Sequence, residues 1–384
     1  MNEPARVHAA PGSTAPARAG GQPVLVTGAA GFIGTHVCIS LLRSGVDVVG
    51  IDALGPGNLP ILEPLRNDRL KEIERQAGLL AASADAGGRC GRFEFRRLDI
   101  AEPAFVPAML ESRFDRIVHL AAQAGVRYSI ERPDVYVRSN LVGMANMLEL
   151  ARARKSSHLV YASSSSVYGG RHATPFAEDD RIDRPVSFYA ATKAANEAMA
   201  ASYSHLHGIP STGLRFFTVY GPWGRPDMAP WLFTEAILKD RPIKVFGYGK
   251  LLRDFTYVDD IVEGVCRVLD LPPGAKAQEE GAKTNGAVTE AATTDGAGRA
   301  SAEGNIAIFN IGNNRPATVN DFIATLERIL GRKAIRNEMP IQPGDVPVTC
   351  ASIERLHAAT GFAPVTPLDK GLTAFCDWYR RYIA

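Results

Sequence analysis

Short apolar runs alternate with amphipathic stretches over the first half of the chain. Pro23 to Thr27 (PVLVT) and Val46 to Asp52 (VDVVGID) are runs of this kind, and each reads as a strand buried on both faces. Between them, Phe32 to Ser44 has apolar residues at helical spacing and stops at Gly45, a residue suited to a helix C-cap. The pattern repeats. Phe93 to Leu98 predicts a third strand ending at Asp99-Ile100, and Arg116 to Ala122 a fourth. A helix follows from Pro133 to Arg154, then a fifth strand at His158 to Ser163. A helix carrying Tyr189 and Lys193 precedes a sixth strand, Ser211 to Phe217. Strands alternating with helices predict an α/β fold, a doubly wound parallel sheet of Rossmann type covered on both faces. After Gly221 the pattern loosens into short segments with many prolines. Residues 23–220 are therefore expected to form the sheet domain. Residues 221–384 are expected to form mainly a smaller C-terminal substrate-binding lobe over the sheet's carboxyl edge, with some elements interleaved.

Three stretches break the regularity. Residues 54–91 form a long charged connection that is expected to carry a helix. Residues 272–305 are mostly Ala, Gly, Thr, Glu and Lys, too poor in large apolar side chains to bury themselves, and read as a flexible insertion. Residues 1–22, rich in Ala, Pro and Gly, read as a disordered tail without the apolar core of a signal peptide. The formal net charge is +2 and no basic stripe alternates with aromatics, which gives nucleic-acid binding no support. Five scattered cysteines (Cys38, Cys90, Cys266, Cys350, Cys376) point to a reducing compartment, and no apolar run is long enough to span a bilayer. A cytoplasmic protein is expected, with no membrane partner.

The first strand–helix junction carries candidate chemistry. Thr27-Gly28-Ala29-Ala30-Gly31-Phe32-Ile33-Gly34 lies between a buried strand and a helix, and the second strand ends in Asp52. That order is the dinucleotide-binding pattern. Gly28 permits the turn, Gly31 the approach of backbone to a pyrophosphate, and Gly34 close helix packing. Phe32 and Ile33 open the helix whose N-terminus faces the phosphate charge. Asp52 can accept hydrogen bonds from the adenosine ribose and would repel a 2′-phosphate, so NAD is expected over NADP.

Tyr189 and Lys193 are four apart and share a helix face. A lysine ammonium can lower a phenol pKa, so Tyr189 is expected to move a proton near neutral pH. A hydroxyl from Ser163-Ser164-Ser165-Ser166 can complete the hydrogen bonding to a substrate oxygen. His205 and His207 read as an exposed helix end, and no metal site is expected.

Several further stretches carry a family resemblance: His119 to Arg127 (HLAAQAGVR), Ser139 to Gly143, Ser163 to Gly169 (SSSSVYG), Arg215 to Asp227 (RFFTVYGPWGRPD), Arg253 to Asp260, Phe309 to Asn313 and Gln342 to Asp345. From about 23 to 380 the chain resembles the extended short-chain dehydrogenase/reductases, within them the nucleotide-sugar epimerases, and in particular those acting at C4 of UDP-glucuronate. Neutral-sugar relatives usually carry Asn in place of Thr218.

The resemblance implies a set of roles. Counted back from Val167-Tyr168-Gly169, Ser164 matches the catalytic Ser/Thr, beside Tyr189 and Lys193. Ser165 and Ser166 fall where related dehydratases carry an Asp-Glu pair, which argues against dehydration. Beyond the glycine turn and Asp52, the cofactor is expected to meet Asp99, Ile100, Ala121, Ala122, Gln123, Asn140, Ser163, Tyr189, Phe216 and Lys193, the last at the nicotinamide ribose. Asp99 also reads as a strand-end cap, and Asn140 also as a residue that orders the sheet. The substrate is expected to meet Arg127, Ser165, Ser166, Thr218, Arg225, Lys244, Val245, Phe246, Arg253 and Asp345. Thr218 and Arg225 are the candidates for a sugar carboxylate, with Arg225 also readable as a surface arginine. Arg253 would grip the diphosphate, or pair with Asp254 or Asp259. Lys244, Val245 and Phe246 would lie beside the uracil, and Asp345 would bind the uridine ribose or serve as a turn aspartate. Gln342 stands where neutral-sugar epimerases often have arginine.

The expected reaction is oxidation of the sugar at C4 and return of hydride to the other face, with no cofactor consumed. A neutral UDP-hexose epimerase or a UDP-glucuronate decarboxylase stays open on the same scaffold. A non-catalytic NAD-binding regulator is the reading from another class, against which stand the retained Tyr189, Lys193 and serine. The Pro133 and Tyr189 helices form a two-fold bundle in relatives, so a homodimer is expected.

Overall fold

The computed structural model describes residues 21–55, 57–84, 90–171, 173–274, 305–342 and 345–383. Most of the expected tail (1–22) and of the expected insertion (272–305) lies outside the described residues, as does Gly344.

All six predicted strands form within three residues of their expected bounds: β1 (Val24–Thr27), β2 (Val48–Asp52), β3 (Phe93–Arg97), β4 (Arg116–His119), β5 (His158–Ser164) and β6 (Ser211–Phe216). A seventh, Ile306–Ile311, returns from the C-terminal half and pairs with β6, Ile306 opposite Ser211 and Ile311 opposite Phe216. The order is Ile306–Ile311, β6, β5, β4, β1, β2, β3, parallel throughout. The direction of winding reverses between β1 and β4, where Val24 faces both Val48 and Arg116. Ligands of open α/β sheets bind outside the carboxyl ends of strands at such a point.

Each face of the sheet has its own apolar core. One gathers Val24, Val26, Val37, Leu42, Val118 and Val265; the other Leu25, Ile51, Ile117, Met147, Leu148 and Leu159. The split follows from the two-residue period of a strand, since Val24 and Val26 point one way and Leu25 the other.

Residues 54–91 do carry a helix, Leu62–Ala84, whose Leu65 and Ile73 are buried. The helix predicted from Pro133 to Arg154 forms in three joined pieces: Pro133–Tyr136, a π-helical turn over Val137–Val142, and Gly143–Arg154. Such turns recur at functional sites, and this one holds Asn140 buried. The Tyr189 helix spans Phe188–His207, with the Ser187 hydroxyl capping the Ala190 N–H and Gly208 closing it at φ 67°. Beyond the sheet edge, Trp231, Phe255, Phe322, Phe375 and Trp378 build a separate aromatic core.

Candidate active site

The glycine turn is pressed between strand ends. Gly28 sits at φ +72°, and a Cβ there would lie 2.8 Å from the Ala121 nitrogen at the end of β4. A Cβ on Gly34 would lie 2.0 Å from the Gly28 carbonyl oxygen, so the helix packs directly onto the turn. The helix begins after Gly31 with no capping side chain and no acid in its first turn. Its first N–H groups therefore suit an anion. Asp52 stands beside them and accepts hydrogen bonds from the Ala30 N–H (3.2 Å) and the Leu54 N–H (2.9 Å). Phe32, expected at the cofactor, is instead buried in the core beneath the sheet, so only its backbone faces the turn. Ile33 is half-buried and packs against the same core.

Ser164 closes β5, and its Oγ both donates to Ser166 Oγ (3.1 Å) and accepts from the Ser166 N–H (3.2 Å). Tyr189 begins the next helix with its N–H on Ser129 Oγ (3.1 Å) and its ring edge-on to Tyr136, centroids 6.1 Å apart. Burial pushes the Tyr189 phenol above its ordinary pKa, while a Ser164 hydrogen bond and the Arg225 charge pull it back. The Lys193 ammonium donates to the Ala162 carbonyl (2.9 Å), and burial lowers its own pKa to about 8 against the opposing charge of Glu197. Ser164 and Arg225 both favour the phenolate. Ser165 and Ser166 are half-buried beside them.

Arg225 is not a surface arginine. Its Nη2 lies 3.2 Å from where a Gly125 Cβ would be, and its Nε and Nη2 hold the Asp227 carboxylate at 3.0 and 2.5 Å. Burial works against its charge, but Asp227 more than offsets that, leaving the guanidinium above its ordinary pKa. Thr218 donates its N–H to the Asp254 carbonyl and is half-buried.

A second group lies at the aromatic lobe. The Arg127 guanidinium covers the Phe246 ring at 5.0 Å and approaches the Asp345 carboxylate at 3.6 Å. The Asp345 charge also bears on Arg253, whose guanidinium burial otherwise disfavours. Arg253 donates to the Leu252 carbonyl (2.9 Å) and, among the described residues, forms no ion pair with Asp254 or Asp259. Lys244 is exposed, whereas Val245 is wholly buried, so a uracil can meet only its backbone.

Other expected cofactor contacts are committed elsewhere. Ser163 Oγ donates to Glu197 (2.5 Å), because alternation along β5 turns it away from the Ser164 side. Asn140 accepts from the Gln123 N–H (2.8 Å) and donates to the Gln123 carbonyl and to Thr192 Oγ1 (both 3.1 Å), so it orders the loop after β4. Asp99 caps the Ala101 N–H (2.9 Å) and pairs with Arg138 (2.8 Å). The Ile100 and Phe216 side chains are buried. Ala121, Ala122 and Gln123 do stand half-buried at the end of β4, in the switch region.

Three features escaped the sequence reading. Tyr136 backs the Tyr189 ring. Glu197 and Arg215 form a buried bidentate pair (2.9 and 2.8 Å) that joins the Tyr189 helix to β6. Arg69 is buried beside the glycine turn. The i,i+4 spacing of Lys193 and Glu197 was the one signal in the sequence for the second. Among the described residues no group of three or more His, Cys, Asp or Glu side chains is placed to hold a metal.

Residues 24–280 match the family model described as "NAD dependent epimerase/dehydratase family". The "Probable UDP-glucuronate 4-epimerase" of Rhizobium meliloti is 44% identical over 92% of this chain and 96% of its own. UDP-glucuronate 4-epimerase 3 of Arabidopsis thaliana is 42% identical over 94% of this chain and 77% of its own. Among solved structures, a UDP-glucuronic acid 4-epimerase from Bacillus cereus in complex with UDP-glucuronic acid and NAD superposes with a TM-score of 0.76, at 31% identity over 94% of this chain and 99% of that one.

Proposed function

The chain belongs to the NAD dependent epimerase/dehydratase family, and we propose that it is a UDP-glucuronate 4-epimerase that works with NAD. The observation that carries the reading is the Arg225 guanidinium, held against Gly125 and the Ala124 carbonyl (3.4 Å) after β4, with its charge bearing on the Tyr189 phenol. Beside Asp227, a sugar carboxylate offers this cation a second anionic partner, which a neutral hexose does not. Relatives across nearly the whole chain that bear this activity add to it.

The residues fit the cofactor. Gly28, Gly31 and Gly34 shape the turn, the uncapped helix N-terminus suits the diphosphate, and Asp52 suits a ribose without a 2′-phosphate. NAD, when bound, accepts hydride from C4 of the sugar and returns it. Tyr189 takes the 4-hydroxyl proton and later gives it back. Ser164 holds the sugar oxygen and stabilises the phenolate, and Lys193 supplies a positive charge behind it. The 4-keto sugar is a β-keto acid. It loses CO2 only if the breaking C–C bond aligns with the ketone π system. Arg225 and Thr218, with Ser165 and Ser166, hold the carboxylate out of that alignment. Arg127, Phe246, Arg253 and Asp345 hold the UDP part.

On this reading residues 23–220 hold the cofactor and most of 221–384 the substrate. The protein works as a homodimer, a role suited to the exposed Val137 and Val142 along the Pro133 helix and to Leu206 on the Tyr189 helix. The cytoplasm is its place, in keeping with five free thiols and with no described helix long and apolar enough to cross a membrane. Incubation with UDP-glucuronate should give UDP-galacturonate without CO2. Release of CO2 would favour a decarboxylase, turnover of UDP-glucose alone a neutral-sugar epimerase, and no turnover a non-catalytic role.

A further inference from the structure

Arg69 is among the largest side chains in the molecule that water does not reach, and it sits in the helix Leu62–Ala84 that interrupts the nucleotide-binding fold. Among the described residues its hydrogen-bond partners are all backbone carbonyls. Nε and Nη2 both donate to Trp223 (3.2 and 2.5 Å), Nη2 also to Gly224 (3.2 Å), and Nη1 to Ala30 (3.4 Å). Ala30 lies in the glycine turn. Trp223 and Gly224 immediately precede Arg225. One planar fork thus spans the cofactor turn and the segment that delivers the carboxylate-binding guanidinium.

The segment it grips needs a grip. Trp223 sits at φ +62°, a conformation that a bulky side chain rarely adopts and that persists only where the surroundings fix it. Its ring packs on Trp378 and Tyr382 of the C-terminal helix, centroids 5.2 and 5.3 Å away, and Tyr382 donates to Asp68, the neighbour of Arg69 (3.1 Å). His36, on the helix after the glycine turn, reaches the Pro222 carbonyl at 2.9 Å. Three successive carbonyls before Arg225 are therefore held by side chains from the cofactor-binding unit. Only arginine offers donors in this fixed fan. Burial and the nearby Arg66 lower the Arg69 pKa to about 9, which still leaves it charged at neutral pH.

We propose that Arg69 is a positioning residue for uronate recognition: it locks the Pro222–Gly224 turn to the glycine turn and so fixes where Arg225 meets the sugar carboxylate. The proposal rests on the carboxylate reading of Arg225. Its consequence is that affinity for the charged sugar depends on a residue that touches neither sugar nor nucleotide, while affinity for UDP alone does not.

The test uses the full chain with saturating NAD and calorimetric titration of UDP-glucuronate and of UDP. Because a hydrogen bond to a charged group is worth on the order of ten- to a hundredfold in affinity, Arg69→Met should weaken UDP-glucuronate by up to roughly that factor. It should leave UDP within about twofold, and add less than about twofold once Arg225→Met is present, since an effect carried through Arg225 cannot add to its loss. Arg69→Lys, which can keep one carbonyl partner, should lose less. Equal weakening of both ligands, full additivity with Arg225→Met, or failure of both Arg69 variants to fold would overturn the proposal, because each makes Arg69 a general structural residue. Arg225→Met without selectivity for UDP-glucuronate overturns the carboxylate reading and the proposal with it. A selective Arg225→Met beside an unselective Arg69→Met overturns the proposal alone.

Discussion

Tyr189 is a phenol in a dry place. Burial raises its pKa, and Ser164 and Arg225 work the other way. If it moves the substrate proton, Tyr189→Phe removes that transfer and should cut turnover by about 10²–10⁴-fold. NAD affinity measured by titration should stay near that of the wild type, and near-normal turnover would exclude the assignment. Lys193 gives a different test, in stability. Its pKa falls from 10.5 to about 8 on folding. Between those values the unfolded chain binds a proton that the folded one does not, so the wild type gains stability as pH rises through this window. Below pH 8 it bears the full cost of the buried charge, a cost that Lys193→Met lacks. The stability of the variant relative to the wild type should therefore fall by about 3 kcal/mol between pH 7.5 and 10.5, at 1.36 kcal/mol per pKa unit. Denaturant unfolding at the two pH values measures it, and a constant difference would mean that the ammonium is not desolvated. At this scale the sequence was legible where chemistry is local. Tyr189 and Lys193 share a helix face by spacing, and Ser164 was placed by counting within one motif. The partners of Ser163 and Asn140, Glu197 and Gln123, lie in other elements and left no local signal. The burial of the Val245 side chain was not legible, because a family position says nothing about which way the side chain of a short strand points.

The catalytic helix Phe188–His207 is anchored from below. Glu197 accepts from Ser163 and holds Arg215 of β6 by two hydrogen bonds, while Arg215 also donates to Tyr168 Oη (2.9 Å). Side chains of this pair are 5% and 7% exposed. At such burial, losing one partner strands the other. Glu197→Ala should destabilise the protein by about 3–5 kcal/mol, as expected for an uncompensated buried charge. Replacing both residues with apolar ones should cost less than the single change, and equal destabilisation by both would show that the pair is not the cause. Six strands and the helices between them were legible because their apolar runs and periods are strong. The strand Ile306–Ile311 was not, since its partner β6 lies some ninety residues earlier in a parallel pairing with no local signal. The π-helical turn at Val137–Val142 was hidden inside a pattern that reads as continuous helix.

Across the whole molecule, the switch point between β1 and β4 brings together pieces that the chain keeps far apart. The glycine turn, the Ser164 and Tyr189 pair, and the Arg225 segment come from three separate regions. Arg69 ties the first to the last across 154 positions. That assembly is what the sequence could name in parts but not join. It makes a definite claim: hydride leaves C4 and returns to C4 within one site, while the carboxylate stays held. UDP-glucuronate carrying deuterium at C4 tests this most directly. Mass and NMR analysis of the product should find UDP-galacturonate with deuterium retained at C4, no free NADH accumulating and no UDP-pentose. Loss of the deuterium to solvent, or a pentose as the product, would contradict the account.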